Sequence, residues 1–206
     1  MSKIKMIVGI CGGSGSGKTS LVDKLASYFS QDEITILSMD DYYKKFEEQS
    51  KDANGIVNFD LPEAIEHDKI VRDIERLKNG EEIEITEYTF NNPKIQPATK
   101  VLKPAKVLIV EGIFLLYFKE ILDLVDLSVY IEVDSNIQLT RRLERDLSVR
   151  GYSEEQIHYQ WEHHVLPCFQ NYIEPFVKNA DIVINNNEKG EFNVQPIIDK
   201  IQFVTA

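Results

Sequence analysis

Two cysteines, Cys11 and Cys168, are all that the 206 residues contain. That excludes a disulfide scaffold and a cysteine-based zinc cluster, and it suits a reducing cytoplasm. No run approaches the roughly 18 apolar residues of a membrane-spanning helix. Met1-Ser2-Lys3-Ile4-Lys5 leads directly into strand-like sequence, so neither a membrane span nor a cleaved leader is expected. Basic residues are scarce: 23 Lys and Arg against 34 Asp and Glu give a net charge of −11. A nucleic-acid partner is therefore not expected, because a phosphate backbone selects a basic face. Internal repeats and low-complexity tracts are also missing. What remains, 43% hydrophobic and 28% charged residues over a length suited to one domain, reads as a globular chain with a substantial core.

One stretch is present in unusual strength, Gly12-Gly13-Ser14-Gly15-Ser16-Gly17-Lys18-Thr19. It fits G-x-x-x-x-G-K-[ST], the pattern of loops that cradle nucleotide phosphates. Four glycines in six positions leave no Cβ in the way, so backbone N–H groups can close on phosphate oxygens. Lys18 is placed to reach the outer phosphates and the Thr19 hydroxyl to hold magnesium, with Ser20 next to it. Ile4–Cys11 before the loop is an apolar, strand-like run. Thr19–Phe29 after it carries Leu21, Val22, Leu25 and Phe29 at helical spacing. Strand, glycine loop and helix N-terminus in that order make an anion site from backbone and helix dipole together. A glycine-rich turn between core elements is the plain alternative.

The rest of the chain alternates between strand and helix patterns. Ile34–Ser38 reads as a second buried strand, ending at Met39-Asp40-Asp41-Tyr42-Tyr43. Lys44–Asn58 is polar, contains Asn54-Gly55 and reads as a mobile loop. Ile70, Val71, Ile74 and Leu77 mark a helix stopped by Asn79-Gly80. Glu82–Tyr88 alternates and can pair with Lys100–Leu102 across a loop holding Pro93 and Pro97, as an antiparallel hairpin. Val107–Val110 is again continuously apolar and ends at Glu111-Gly112. Leu127–Val133 is the next strand, followed by an arginine-rich helix from about Asn136 to Arg150 with Gly151 as its stop. Ser153-Glu154-Glu155-Gln156 is a capping-box start for a helix interrupted near Pro167. Asp181–Asn185 is a last short strand, and Val194–Phe203 a terminal helix with Pro196 in its first turn.

This pattern predicts an α/β fold, a parallel sheet with helices on both faces plus a small antiparallel hairpin flap at about 82–104. Ligands of such sheets sit at the carboxyl ends of the strands. The glycine loop, Asp40-Asp41 and Glu111-Gly112 all fall there. Glu111 follows four apolar residues, and a carboxylate is costly to bury there without a partner. We read it as holding the water shell of a magnesium ion, with a helix cap as the alternative. One of Asp40 and Asp41 suits a general base for a substrate hydroxyl, or a metal ligand. The other reading is a cap followed by a solvated charge.

Phosphoryl transfer asks mainly for positioning, magnesium and charge neutralisation. Of six arginines in the chain, Arg141, Arg142, Arg145 and Arg150 fall within ten residues. At ~100° per residue the first three share one helix face, and Arg150 sits at the helix end beside Gly151. A cationic lid at about 141–152, closing on ATP, would supply charge and exclude water. A solvated face paired with Glu144 and Asp146 is the alternative. The guanine-reading N-K-x-D pattern of hydrolytic switches is absent, which favours a kinase.

Taken together these segments resemble the uridine kinase (uridine–cytidine kinase) family of P-loop kinases, with phosphoribulokinase and one type of pantothenate kinase as more distant relatives. The resemblance is carried by GGSGSGKTS (Gly12–Ser20), MDDYY (Met39–Tyr43) and NFDLPEA (Asn58–Ala64), then IVEGIF (Ile109–Phe114), RRLERDLSVRG (Arg141–Gly151) and NYIEPFVKNADIVI (Asn171–Ile184). It implies a cytoplasmic, magnesium-dependent enzyme of pyrimidine salvage, homo-oligomeric in assembly. Such an enzyme moves the γ-phosphate of ATP, with GTP as an alternative donor, to the 5′-hydroxyl of a nucleoside. By the same resemblance Asp40 is the base, Thr19 and Glu111 serve the metal, and Lys18, Arg145 and Arg150 serve the phosphates. Asp60 grips the ribose 2′ and 3′ hydroxyls with Phe59 beside it, a task that suits a carboxylate because it accepts two hydrogen bonds at once. Tyr43, Arg142 and Gln160 fall on the acceptor side. Tyr88 and Phe90 match flap aromatics that pack on the base, with ordinary hairpin packing as the alternative.

Two positions depart from the family pattern. Pro93 stands where the flap has a histidine that hydrogen-bonds the pyrimidine edge, and Tyr152 stands where an arginine follows the lid glycine. Proline offers no side-chain donor or acceptor. The open point is therefore the acceptor, a pyrimidine nucleoside against another nucleoside or a sugar-like alcohol. A nucleotide-binding regulator without turnover is the reading from another class.

Overall fold

The computed structural model describes residues 4–30, 32–90, 95–188, 190 and 193–205. Its strands are β1 (Met6–Gly12), β2 (Ile34–Ser38), β3 (Ile83–Thr86), β4 (Thr99–Leu102), β5 (Val107–Glu111), β6 (Leu127–Glu132) and β7 (Ile182–Asn185). Five of them form one parallel sheet in the order β2-β5-β1-β6-β7. Every residue of β1, the central strand, is buried, which is why its sequence is continuously apolar rather than alternating.

Helices cover both faces. Successive strand side chains point to opposite sides, so Ile7 and Cys11 of β1 pack with Leu108 and Val110 of β5. They meet Ile70, Ile74 and Leu77 of α2 (His67–Lys78). Met6, Val8 and Ile10 go the other way, into a cluster with Leu21 and Leu25 of α1 (Lys18–Ala26) and Ile197 and Ile201 of α7 (Gln195–Thr205). Burying each such aliphatic side chain contributes roughly 1.5–3 kcal/mol. The remaining helices are α3 (Lys119–Leu122), α4 (Ser135–Arg145), α5 (Glu154–Gln160) and α6 (Leu166–Cys168). β3 and β4 pair antiparallel from Ile83 with Leu102 to Thr86 with Thr99, and Ile83 and Ile85 anchor this hairpin in the α2-side core. Asn91, Asn92, Pro93 and Lys94 lie outside the described residues.

Three segments differ from their sequence pattern. The arginine-rich helix is regular only over α4 and then widens into a π-helical turn, Asp146–Arg150, before Gly151 reverses at φ 73°. After α5, whose capping box is present as expected, the chain stays helical past Pro167. It does so through π-helical turns at Trp161–Val165 and Phe169–Ile173, on either side of α6. Proline cannot donate the α-helical bond, so the expected interruption takes the form of a change in pitch. The polar 44–58 segment is structured: it has a 3₁₀ turn at Phe46–Glu48, a bridge between Lys51 and Val57, and a buried Gln49.

Candidate active site

β1 runs directly into the glycine loop, and Lys18 opens α1. Gly15 and Gly17 have φ of 77° and 96°, left-handed values that strain any residue with a Cβ. At Gly13 the reason is space, since a Cβ would lie 2.5 Å from Gln138 Oε1. Lys18 Nζ donates to the carbonyls of Gly12 (3.0 Å) and Gly13 (3.3 Å). The rim of the loop is tied from outside. Asn186 donates to the Ser16 carbonyl at 2.7 Å, and Arg141 donates to the carbonyls of Gly15 (3.5 Å) and Asn186 (2.9 Å). Among the described residues the buried Ser16 hydroxyl has no hydrogen-bond partner. A cradle that a Cβ would fill, at the start of a helix and with an orphaned hydroxyl, fits a phosphate chain.

Beside this loop lies an open groove lined by Lys18, Thr19, Ser20, Asp40, Glu111 and Arg145, among others. Glu111 ends β5 and is only 8% exposed. Burial pushes its carboxyl up, the nearby Asp40 adds to this, and Lys18 opposes it. One serine connects the Glu111 carboxylate to the backbone that carries Asp40: the Ser38 hydroxyl donates to Glu111 Oε1 and accepts the Asp40 N–H at 3.3 Å. Their spacing is also set by Gly112, where a Cβ would come within 2.6 Å of Met39 Cβ and 2.5 Å of its sulfur. Met39 opens the 3₁₀ turn (Met39–Tyr42) that carries Asp40. Among the described residues no three His, Cys, Asp or Glu side chains converge on a metal position. That fits magnesium, which takes one or two protein oxygens and fills its octahedron with waters and phosphate oxygens. Thr19 and Glu111 are the residues that would hold it, and the ion would screen phosphate charge.

The adjacent aspartates diverge. Asp41 pairs with Lys100 Nζ of β4 at 2.8 Å and accepts the Tyr88 N–H at 3.3 Å, so it pins the hairpin to the sheet. Asp40 lines both the groove and the cavity beyond it.

The arginines gather on Asp146, which is fully buried and so is no part of a solvated face. Its carboxylate lies 3.3 Å from Arg142 Nε, 2.7 Å from Arg145 Nε and 3.5 Å from Arg150 Nε. One negative charge for three positive ones leaves a cationic wall. Arg142 and Arg145 also reach the Ser14 hydroxyl at 3.2 and 3.4 Å, and Arg142 donates to Gln160 Oε1 at 2.7 Å. Arg150 is placed differently: its guanidinium lies 3.7 Å from the centre of the Phe90 ring, a cation–π contact that docks the lid on the flap. Burial, and Arg145 beside it, push the Arg150 guanidinium down from its ordinary pKa.

The cavity beneath brings together Lys18, Asp40, Phe59, Asp60, Arg142 and Gln160, with Ser14, Tyr43, Phe90, Tyr152 and His164 completing its walls. Tyr43 lies 5.3 Å from Tyr88, 5.7 Å from Phe90 and 6.0 Å from Phe59, ring centre to ring centre. Tyr88 supports this cluster from outside the cavity lining. Phe90 is the one described non-glycine residue at positive φ, 50°, a strained setting held by its ring contacts. Burial pushes the Tyr43 phenol well above its ordinary range, and Asp40 and Asp60 add to this, so it remains a donor. Asp60 is oriented through its N–H, accepted by Asn58 Oδ1 at 2.9 Å. The sequence reading passed over Ser38 and His164 and gave Asp146 only a solvated role. The available signals were the i,i+4 spacing of Asp146 to Arg142 and Arg150, and of His164 to Gln160.

Residues 7–191 match the model of the Phosphoribulokinase / Uridine kinase family. The uridine kinase of Staphylococcus aureus (strain JH9) is 34% identical over 204 residues, 99% of each chain. Uridine-cytidine kinase A of Dictyostelium discoideum is 36% identical over 195 residues, 95% of this chain, which spans 38% of that longer protein. Among solved structures, phosphoribulokinase from Rhodobacter spheroides matches with a TM-score of 0.65 at 16% identity, over 87% of this chain and 69% of the other. That last likeness is one of fold.

Proposed function

The chain belongs to the Phosphoribulokinase / Uridine kinase family, and from that premise we propose that it transfers the γ-phosphate of ATP to the 5′-hydroxyl of uridine or cytidine. The observation that carries this reading is the single cavity in which Lys18, Asp40, Asp60 and Arg142 meet. Asp40 accepts the proton of the acceptor hydroxyl, a task for a carboxylate within hydrogen-bond reach. Asp60 takes the two ribose hydroxyls, with Gln160 and Arg142 beside it. Lys18 and Arg145 neutralise phosphate charge during transfer, which depends on in-line placement more than on covalent help. Magnesium-bound ATP supplies the phosphoryl group and further charge screening. Tyr43, Phe59 and Phe90 exclude water, so that transfer to the acceptor outcompetes hydrolysis.

A second reading changes only the acceptor, to another nucleoside or a small sugar-like alcohol. It is favoured by Tyr152, which lines the cavity where the family pattern has an arginine. The test is ADP release by the chain with ATP and magnesium over a panel of nucleosides and sugar alcohols, with the product identified. Release with uridine or cytidine and recovery of the 5′-monophosphate is the expected result. Release with a non-nucleoside alcohol alone overturns the acceptor, and ATP binding without transfer to any acceptor overturns the kinase reading.

A further inference from the structure

Within the 44–58 segment, the Asp52 side chain makes the densest set of ties. Asp52 Oδ1 accepts the N–H groups of Asn54 and Ile56, both at 2.9 Å, which folds the loop tip onto itself. Asp52 Oδ2 accepts the Tyr159 hydroxyl at 2.7 Å and lies 2.8 Å from His164 Nε2. Those two residues lie more than a hundred positions further along the chain. Asn54 adds a second tie, donating to the Tyr159 oxygen at 2.6 Å. The ordinary fate of an aspartate in a polar surface loop is a solvated charge. Here the carboxylate is saturated by four donors, and one of them, His164, is only 2% exposed.

The clasp joins the two walls of the acceptor cavity. His164 and Gln160 line it from the helical side, and Val57, Phe59 and Asp60 line it from the loop side. Asp52 itself lines neither the cavity nor the groove of Thr19 and Glu111. Partial desolvation pushes its carboxyl up, but the hydrogen bonds from His164 and Tyr159 outweigh that and hold it well below the usual carboxylate range. It therefore remains an ion that only accepts hydrogen bonds.

We propose that Asp52 is a positioning residue for the phosphoryl acceptor, clasping the loop that leads to Phe59 and Asp60 onto the helix that carries Gln160 and His164. The width of the acceptor cavity then depends on a residue that touches no substrate. This rests on the functional reading above, in that the cavity is taken to hold the acceptor. The effect of the clasp falls on the acceptor rather than on the nucleotide, because none of Asp52, Tyr159 and His164 lines the groove of Thr19 and Glu111, whereas His164 lines the acceptor cavity.

Steady-state kinetics of the full chain, with each substrate varied in turn, test this. Asp52→Ala is expected to raise the acceptor KM about tenfold or more, as misplacement of a binding group does, while the KM for ATP stays near the native value. Tyr159→Phe keeps the ring and removes the hydroxyl shared by Asp52 and Asn54, while the bonds of Asp52 to His164, Asn54 and Ile56 remain. It should show the same one-sided rise at smaller size. Asp52→Asn, which retains an accepting oxygen, should fall between native and alanine. An unchanged acceptor KM in Asp52→Ala overturns the proposal. So does a parallel loss of both KM values, kcat and melting temperature, which would mark a structural brace. If Asp52→Ala fails to fold, Tyr159→Phe carries the decision on the same split. Absence of turnover with every acceptor in the native chain removes the functional reading and this inference with it; native turnover with unsplit kinetics removes the clasp alone.

Discussion

The phosphate side of the site and its acceptor side are assembled from different materials. On the phosphate side the groups are backbone or sit at strand ends: the glycine loop after β1, Ser38 at the end of β2 with Asp40 just beyond it, Glu111 at the end of β5. The sheet register holds them, since Ser38 pairs with Glu111 across β2 and β5. Among the described residues, none from a strand lines the acceptor side. Its walls come from Tyr43 just past the 3₁₀ turn, the loop of Phe59 and Asp60, the flap of Phe90, and two helical segments. They are held by long-range side-chain ties: Asp41 to Lys100, Arg150 to Phe90, Asp52 to His164. A register cannot be altered one residue at a time, whereas a side-chain tie can. Under the function proposed above, chemistry rests on the rigid part, and recognition on the part that single substitutions can adjust.

The largest expected effect sharpens this division at the point where both sides share a residue. Asp40→Asn should lower kcat by about 10²–10⁴-fold, the usual worth of a general base, with both substrates still binding in calorimetry. Retained turnover would remove Asp40 from the chemistry. Next comes Asp146→Ala, which strips three arginines of their common partner. Breaking a buried ion pair from one side costs on the order of 3 kcal/mol, readable as a lower denaturant midpoint. A cost near zero would mean that the cationic wall is solvent-screened and the lid is not built as described.

Glu111→Gln should separate activity from stability. Magnesium activation should weaken by about 10–100-fold, as it does when a metal's supporting group is lost, while the melting temperature rises at neutral pH. The sign follows from the raised carboxyl pKa: the folded chain holds that proton more tightly than the unfolded chain does. The stability so contributed is present in acid and is lost as pH rises through the folded value. The advantage of Gln over Glu should therefore grow from acidic to neutral pH, and a melting temperature lower than native at pH 7 would break the account. The smallest effect is expected from Lys100→Ala, which unpins the flap. An ion pair with one exposed partner is worth about 0.2–1 kcal/mol, so the acceptor KM should rise a few-fold with ATP unaffected. A change in the ATP KM instead would blur the two sides.

Legibility in the sequence followed the same line. Strands buried on both faces announce themselves as apolar runs, and the residues just beyond them are then near the ligand by topology alone. That made the glycine loop, the Asp40-Asp41 pair and Glu111 readable, and the family resemblance chose Asp40 from the pair. The order of strands was not readable, since nothing in Val107–Glu111 says that it inserts between β1 and β2. On the acceptor side, local pattern misled. Lys44–Asn58 reads as a mobile loop because its restraint, Asp52, finds its partners at Tyr159 and His164. Asp146 reads as a surface charge because its i,i+4 spacing to Arg142 and Arg150 is the same on a solvated face as in a buried cluster. Pro167 reads as an interruption, and its form, wider turns on either side of it within one continuous helix, depends on packing that the residue type does not report.

Gly112 carries a consequence for how such a site can vary. Its α-carbon faces Met39 so closely that even a methyl group has no room, and Met39 directly precedes Asp40 while Gly112 directly follows Glu111. The gap between the two carboxylates is thus gauged by an atom that is missing. A larger residue would act as a wedge, driving the proton acceptor and the metal-side carboxylate apart together. The spacing of Asp40 and Glu111 thus has no intermediate setting at this position: the spacer is either glycine or a wedge.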